Sequence, residues 1–191
     1  MNQVNYEPAD ITIYARNKGI VVKEKSVLAL YVEGKKVVVC AVGNEALTGR
    51  FPEKTIVVNP FHQSAIDDFT VALKIMKYLM KKALAQTGFG WNLTKPVVGI
   101  CIPRELSLVD IKAYQDLFYC AGAKDVVILP QPLQEFLATA SEEEKKKYKL
   151  IVSVAKDNPL EYVRERVKET IAYAESFGIS RETLVGMMSE Y

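Results

Sequence analysis

Histidine is almost absent from the sequence, and its scarcity removes several kinds of catalytic site. His62 is the only histidine among 191 residues. Its neighbourhood offers no metal-ligand spacing beyond Asp67 and Asp68, which are better explained as helix caps. One histidine also gives no basis for a Ser–His–Asp triad. We therefore interpret His62 as a turn residue and expect no metal site.

Cysteine is scarce as well and lacks the spacing of a functional cluster. Cys40, Cys101 and Cys120 are the only three, they form no C-x-x-C pair, and each lies in or beside an apolar run. Their odd number and apolar surroundings favour buried thiols in a reducing compartment over disulfides or a metal site.

The sequence also lacks an excess of either charge and any long apolar run. It has 25 Lys+Arg against 23 Asp+Glu, a formal net charge of +2, which is too balanced to indicate a nucleic-acid partner. No signal-peptide pattern opens the sequence, and no apolar run approaches the ~20 residues of a membrane span. We expect a cytoplasmic protein that does not bind nucleic acid.

With 49% hydrophobic and 25% charged residues, the chain has the composition of an ordinary globular domain. Gly19 and Gly34 stand at turn positions between apolar runs. Alternation in Ile11–Tyr14 predicts one solvated face, whereas the unbroken Lys36–Val42 run predicts a strand covered on both faces. The runs predict an antiparallel meander over Asp10–Arg16, Gly19–Glu33 (two strands), Lys35–Gly43 and Lys54–Phe61.

From Ile66 onward the apolar period becomes helical. Asp67 or Asp68 can cap this first long helix, and Gly88 and Gly90 end it. Its predicted inward residues are Phe69, Leu73, Met76, Leu79 or Met80, and Ala83.

A strand–helix–strand unit follows. Val97–Pro103 is apolar throughout, and Val126–Pro130 repeats this character after a helix capped by Ser107 with Asp110. This order requires a right-handed crossover and a parallel strand pair. The predicted inward residues of the helix are Val109, Ala113 and Leu117.

The last third has a different pattern. Ser141 and Glu144 begin a short charged helix, and a lone strand follows at Lys149–Ala155. Pro159–Phe177 carries an amphipathic helical stripe that ends at Gly178. We predict a single domain over 1–191, with a small subdomain near 31–60 and a divergent 139–191 segment that packs back on the domain.

Five segments occur in order and nearly without gaps between about Asn5 and Ala138. They are "ITIYARNKGIVVKEKSVLAL", "AVGNEA", "LTGRFPEKTIVVNPF", "SAIDDF" and "CIPRELSLVDIKAYQDLFYCAGAKDVVIL". Together they resemble the first half, domain I, of MreB-like bacterial actin homologues in the actin/Hsp70 superfamily. The resemblance implies an α/β fold of the actin-like (ribonuclease H-like) kind: a mixed sheet with an N-terminal antiparallel meander and parallel strands flanked by helices.

The resemblance also implies a nucleotide site, and its first phosphate loop is altered. The family binds ATP in a cleft between two domains, with a D-x-G-T loop against the phosphates and Mg²⁺. The matching residues are Asn5, Tyr6, Glu7 and Pro8. Pro8 has neither an N–H nor a hydroxyl, and Glu7 adds negative charge where phosphate would lie. We expect no nucleotide to bind there.

The catalytic position implied by the resemblance is altered too. The family has Glu-Glu-Pro after the strand that matches "VVIL", and one glutamate orients the hydrolytic water. Here the triplet is Pro130-Gln131-Pro132, and an amide cannot carry the charge that polarises water. The family continues into a second domain that begins with a "DIGGGT"-like loop, whereas residues 141–159 read "SEEEKKKYKLIVSVAKDNP". We expect neither ATP nor Mg²⁺ as a cofactor.

One loop offers a candidate contact surface. Phe89, Trp91 and Leu93 lie between the first long helix and the central strand, where the resemblance implies a membrane-inserting apolar loop. The nearby lysines Lys81, Lys82 and Lys95 suit anionic headgroups. The alternative is that Trp91 folds back as a lid on the core.

These features predict a non-catalytic, MreB-like single-domain protein that acts by binding. Its expected partner is an actin-like filament, a cell-shape or division complex, or the inner membrane face, where it would be peripheral. One alternative is an ATP-binding cytoskeletal protein completed by a second chain. Another is a chaperone-type or scaffold member of the actin superfamily.

Overall fold

The computed structural model describes residues 8–34, 36–62, 65–88, 95–102, 106–155, 167, 170–172, 174–180 and 183. The chain divides into two compact units, Met1–Lys156 and Asp157–Tyr191. The strands of the first unit are β1 Asp10–Ala15, β2 Gly19–Lys25, β3 Leu28–Glu33, β4 Lys36–Val42, β5 Thr55–Val58, β6 Phe61–His62, β7 Ala65–Ile66, β8 Val97–Cys101, β9 Asp125–Leu129 and β10 Leu150–Ala155. Its helices are α1 Asn44–Thr48, α2 Phe69–Gln86, α3 Leu108–Ala121, α4 Leu133–Thr139 and α5 Glu142–Lys145.

The main sheet has five strands in the order β2-β1-β10-β8-β9. β1 is antiparallel to both β2 and β10, whereas β10, β8 and β9 are parallel to one another. The predicted mixed sheet, with an antiparallel start and parallel strands joined by helices, is therefore confirmed. A separate three-stranded sheet, β4-β3-β5, carries α1.

β10, which the sequence pattern left as a lone strand, lies in the middle of the main sheet. Leu150 and Val152 are fully buried in the larger core with residues of α2 and α3. Ile151 is fully buried on the other face with Phe136 of α4 and Tyr148. A strand buried on both faces has a continuous apolar sequence, which explains why Leu150–Val152 shows no alternation.

α2 begins as predicted at Asp68, whose carboxylate accepts a hydrogen bond from the Val71 N–H at 2.9 Å. The prediction that Phe69 points inward is wrong, because this first helical residue precedes the buried stripe and is exposed. The stripe packs into the larger core and consists of Val71, Ala72, Ile75, Met76, Leu79, Met80, Ala83 and Leu84.

α3 also begins as predicted, with the Asp110 N–H donating to Ser107 Oγ at 3.2 Å. The inward assignment of Val109 is wrong, since Val109 is 78% exposed. Burial begins one turn later at Tyr114, which stacks on Phe61 with ring centroids 6.2 Å apart. The buried face is Tyr114, Leu117, Phe118 and Ala121.

Two strand predictions are corrected. β4 is not covered on both faces, because Val37, Val38 and Val39, whose side chains alternate between the two faces, are all exposed. Among the described strands, β4 is also the edge of the small sheet and pairs only with β3. β1 has no solvated face at Thr12, which is buried. Thr12 shares a face of β1 with Tyr14, which packs against the cluster that contains Phe136 and Ile151, so this face is covered as well.

The second unit is described only in part. Residues 167, 170–172 and 174–176 are helical, and the helix ends at Gly178 with φ 75°, as predicted. The Ile179 N–H donates to the carbonyl of Ala174 at 3.0 Å, which is typical of a helix end of this kind. Most of Pro159–Phe177 lies outside the described residues, and the packing of 139–191 stays a prediction.

Candidate functional site

The topology brings two altered motifs to one edge of the main sheet. Gln131 follows β9, and Pro8 precedes β1, whose first residue Asp10 is in register with Ala155 at the carboxyl end of β10. The carboxyl ends of parallel strands are the usual ligand-binding edge of α/β sheets. β10 and β8 separate the two positions, so three strand spacings of about 4.8 Å place them roughly 14 Å apart.

The phosphate-loop side of this edge is only partly described. Asn5, Tyr6 and Glu7 lie outside the described residues, whereas Pro8 is half-buried. Pro8 has no N–H to donate to an anion. Next to it, the Asp10 carboxylate is 2.7 Å from the Lys25 amine, which balances its charge.

Gln131 sits in a tight turn that uses its own backbone. Its N–H donates to the carbonyl of Leu129 at 2.8 Å, so that donor is already engaged. Pro132 is the N-cap residue of α4 and makes no side-chain cap bond. The half-buried Gln131 side chain can accept or donate a hydrogen bond but carries no charge.

The sequence reasoning missed a carboxylate near this turn. Glu135 is half-buried in the first turn of α4, four residues after Gln131. Glu135 lies three residues beyond Pro132, the last residue of the triplet that matches the family's Glu-Glu-Pro. A sequence feature that could have indicated Glu135 is its position in the helix that follows the strand, because the first turn of such a helix also faces the ligand-binding edge.

His62 and the two aspartates before α2 are explained by the chain's own geometry. His62 pairs with Ala65 in the short β6–β7 hairpin, which agrees with its interpretation as a turn residue. The Asp67 N–H donates to the carbonyl of Pro60 at 2.9 Å, and Asp68 caps α2. Within the described parts of the chain, no group of three His, Cys, Asp or Glu side chains is placed to hold a metal ion.

The cysteines differ in burial, which corrects part of the prediction. Cys101 is buried in β8, Cys40 is half-buried and Cys120 is exposed on α3; all three are free thiols. The prediction of three buried thiols is wrong for Cys120, because it lies on the solvent side of α3. Burial raises the pKa of the Cys101 thiol from 9.0 to about 12.

The candidate contact residues Phe89, Trp91 and Leu93 lie outside the described residues. The lysines proposed to assist them are not equivalent. Lys82 Nζ is 2.7 Å from Glu24 Oε1, and this hydrogen bond raises the pKa of Lys82. Lys82 is therefore paired with Glu24, whereas Lys95 is exposed just before β8. None of the helices in the described segments has the length and apolar character that a bilayer crossing requires.

The opposite edge of the sheet carries a cluster of cations that the sequence reasoning also missed. We call it the basic edge and define it as Arg16, Lys95, Lys124, Lys146, Lys147 and Lys149, which line two neighbouring cavities. The available signal was a lysine just before each parallel strand. This pattern indicates a cluster of cations only when β8, β9 and β10 are known to be neighbours in the sheet.

Residues 4–157 match the protein family described as MreB/Mbl protein. The match extends past Ala138, where the sequence resemblance ended, and includes β10. The chain is 32% identical over 126 residues to the cell shape-determining protein Mbl of Bacillus cereus. It is 30% identical over 129 residues to the cell shape-determining protein MreB of Haemophilus influenzae. Each match covers 65% of this chain and 36% of the relative, so the chain spans about a third of those proteins.

The fold is similar to that of MreB5 of Spiroplasma citri. The structure bound to ADP gives a TM-score of 0.51 at 19% identity, and the structure bound to AMPPNP gives 0.50 at 22% identity. Both similarities cover 64% of this chain and 35% of MreB5. At such identities the similarity concerns the fold, and it confirms the predicted actin-like α/β architecture.

Proposed function

Because the chain belongs to the MreB/Mbl family, we propose that it acts by binding within the bacterial actin-like cytoskeleton and does not hydrolyse ATP. The observation that carries this proposal is Gln131, held between two prolines where the resemblance implies a water-orienting glutamate. Its backbone N–H is already donated to Leu129, and its amide has no negative charge. The cell-shape role of the named relatives supplies the cellular setting, and its transfer to this chain is part of the proposal.

The chemistry of the edge supports a loss of hydrolysis. Removing a group that assists proton transfer typically costs about 10²–10⁴ in rate. Pro8 cannot donate to a phosphate, and Glu7 would repel one. Neither Pro8 nor Gln131 therefore fits Mg-ATP.

Exposed valines on both faces of the edge strand β4 support a role in binding. Val37 is 54% exposed, and Val38 and Val39 are also exposed on the edge strand β4. Exposed apolar residues on an unpaired strand edge mark surfaces that partners cover. We propose that an actin-like filament, or a shape or division complex built on one, is the partner of this chain.

The expected result is filament binding without nucleotide binding. Mixed with filaments of a full-length MreB relative, the chain should sediment with them. Calorimetric titration with Mg-ATP should show no binding tighter than about 100 µM. The physical reason is that the altered loop and turn offer neither donors nor charge to the phosphates.

MreB5 of Spiroplasma citri is a suitable positive control in the same titration, since it has been solved with ADP. Binding of Mg-ATP tighter than about 100 µM would favour the alternative, an ATP-binding protein completed by a second chain. If the chain stays in the supernatant when the filaments are sedimented, the proposed binding to filaments is wrong.

We further propose that Phe89, Trp91 and Leu93 contact a membrane or the protein partner, which would make the protein peripheral at the inner membrane face. Co-sedimentation with liposomes should fall several-fold in Phe89→Ser with Trp91→Ser, because interfacial aromatic residues supply much of such binding. Leu108→Ser with Val109→Ser is a matched control, since both side chains are exposed and apolar on α3. Equal sedimentation of wild type and the Phe89/Trp91 variant would remove the proposal.

A further inference from the structure

We propose that the basic edge binds an acidic, extended segment of a partner protein. The basic edge lies at the amino ends of β8, β9 and β10, opposite the edge that holds Pro8 and Gln131. The proposal therefore goes beyond the proposed function and does not depend on whether nucleotide binds. It rests on the position, backbone support and charge of the six cations.

The backbone of the basic edge is fixed by the sheet. The Arg16 N–H donates to the carbonyl of Lys149 at 3.2 Å, and the Lys149 N–H donates to Val97 at 2.9 Å. The Lys124 N–H donates to Pro96 at 2.7 Å. These bonds join the ends of β1, β10, β8 and β9 in order, so the backbone that flanks Arg16, Lys149, Lys95 and Lys124 is held by the sheet. Lys146 and Lys147 lie in the turn after α5.

The two cavities between these strand ends have volumes of about 470 and 420 Å³, and none of the described residues that line them is acidic. Lys18 adds a further cation to the second cavity. Asp125, which follows Lys124 in sequence, accepts from the Tyr119 hydroxyl at 3.1 Å and from the Val126 N–H at 2.8 Å, and it is not among the described residues that line the cavities. With a net charge of only +2 on the whole chain, this grouping of cations is a local feature.

The arrangement favours a linear ligand. Arg16, Lys149, Lys95 and Lys124 mark four adjacent strands, so the row spans three spacings of about 4.8 Å, roughly 14 Å. In an extended peptide, alternate side chains lie about 6.7 Å apart on one side, and three of them span about 13 Å. Three carboxylates at alternate positions therefore span about the same length as the row of four cations.

Other polyanions fit less well. A flat anionic bilayer over Lys146 and Lys147 would also meet Glu142 and Glu143, which are exposed on α5 just before them. Single-stranded nucleic acid is usually held by aromatic stacking as well as charge. The described residues that line the cavities include no aromatic side chain.

The probe is a fluorescein-labelled decaglutamate peptide, with decaglutamine as the uncharged control, followed by fluorescence anisotropy on the full chain. Decaglutamate should bind, and binding should weaken as salt is raised from about 50 to 200 mM because screening shortens the reach of the charges. Lys95→Glu with Lys124→Glu should weaken binding about tenfold or more.

The matched control is Lys74→Glu with Lys77→Glu, which makes the same charge change on exposed positions of α2. These two lie at least ten residues before Thr87, about 15 Å along the helix, and should leave decaglutamate affinity within about twofold. Circular dichroism checks that each variant is folded. If Lys95→Glu with Lys124→Glu does not fold, Lys95→Gln with Lys124→Gln takes its place.

Three outcomes would overturn the proposal. The first is no decaglutamate binding, and the second is an equal loss in the α2 control. The third is that Lys95→Glu with Lys124→Glu still binds decaglutamate but no longer binds oligothymidylate or phosphatidylcholine vesicles that contain phosphatidylserine. The ligand of the basic edge would then be a nucleic acid or a lipid surface. None of these depends on the Mg-ATP titration, so failure here and failure of the proposed function are distinguishable.

Discussion

Ile151→Ala should lower the free energy of unfolding by about 2–5 kcal/mol, the usual cost of removing a large aliphatic side chain from a packed core. Ile151 is fully buried in β10, between β1 and β8, and packs in the cluster that contains Cys101, Phe136 and Tyr148. The truncation would leave a cavity that these neighbours can fill only in part. Urea unfolding followed by circular dichroism measures the change.

Ile20→Ala is the matched control because it makes the same chemical change in a strand of the same sheet. Ile20 is 48% exposed on the edge strand β2, so its loss should cost less than about 1 kcal/mol. Equal costs at the two positions would contradict the central placement of β10. A large loss of stability in Ile151→Ala together with a small loss in Ile20→Ala would support the central placement of β10.

Cys101 should react with iodoacetamide about 10³-fold more slowly in the native protein than in the unfolded chain at pH 8. The thiolate is the reacting form, and a pKa raised by burial from 9.0 to about 12 reduces its fraction at this pH by about that factor. Raising the pH toward 9 should increase native labelling of Cys101 in proportion to thiolate, while its absolute rate stays low. Peptide-resolved mass spectrometry gives the rate at each cysteine without any substitution.

Two internal controls accompany this measurement. Cys120 is exposed and should be labelled in the native protein long before Cys101. Guanidinium should then bring Cys101 to an ordinary rate by removing the burial that raises its pKa. Native labelling of Cys101 within about tenfold of its unfolded rate would show that β8 is not covered on the α4 side.

Local features of the fold were predictable because their causes are local. Asp68 and Ser107 begin helices by accepting bonds from N–H groups three residues later, and this depends only on nearby chain. Gly19 and Gly34 adopt positive φ between strands, as expected where a tight turn needs it. The mixed α/β class follows from the order of such elements.

The wrong assignments share one physical reason. Val109 and Val37–Val39 are apolar, but burial depends on what the rest of the chain places over a residue. Val109 lies on the first turn of α3, before the buried stripe, and among the described strands β4 is an edge of the small sheet. Thr12 was misassigned in the opposite direction, because its face of β1, which also carries Tyr14, is covered by the cluster that contains Phe136.

By itself, the sequence determined the longer helices and strands, the family resemblance and the altered residues at Pro8 and Gln131, because these depend on residue type and short-range spacing. Only the tertiary structure decided that β10 fills the centre of the sheet and that lysines from three separate strand starts meet at the basic edge. Strand order joins residues such as Lys95 and Lys149, which are far apart in the chain. No local sequence pattern encodes the pairing of β10 with β8, because this pairing is selected by the simultaneous burial of both faces of the sheet.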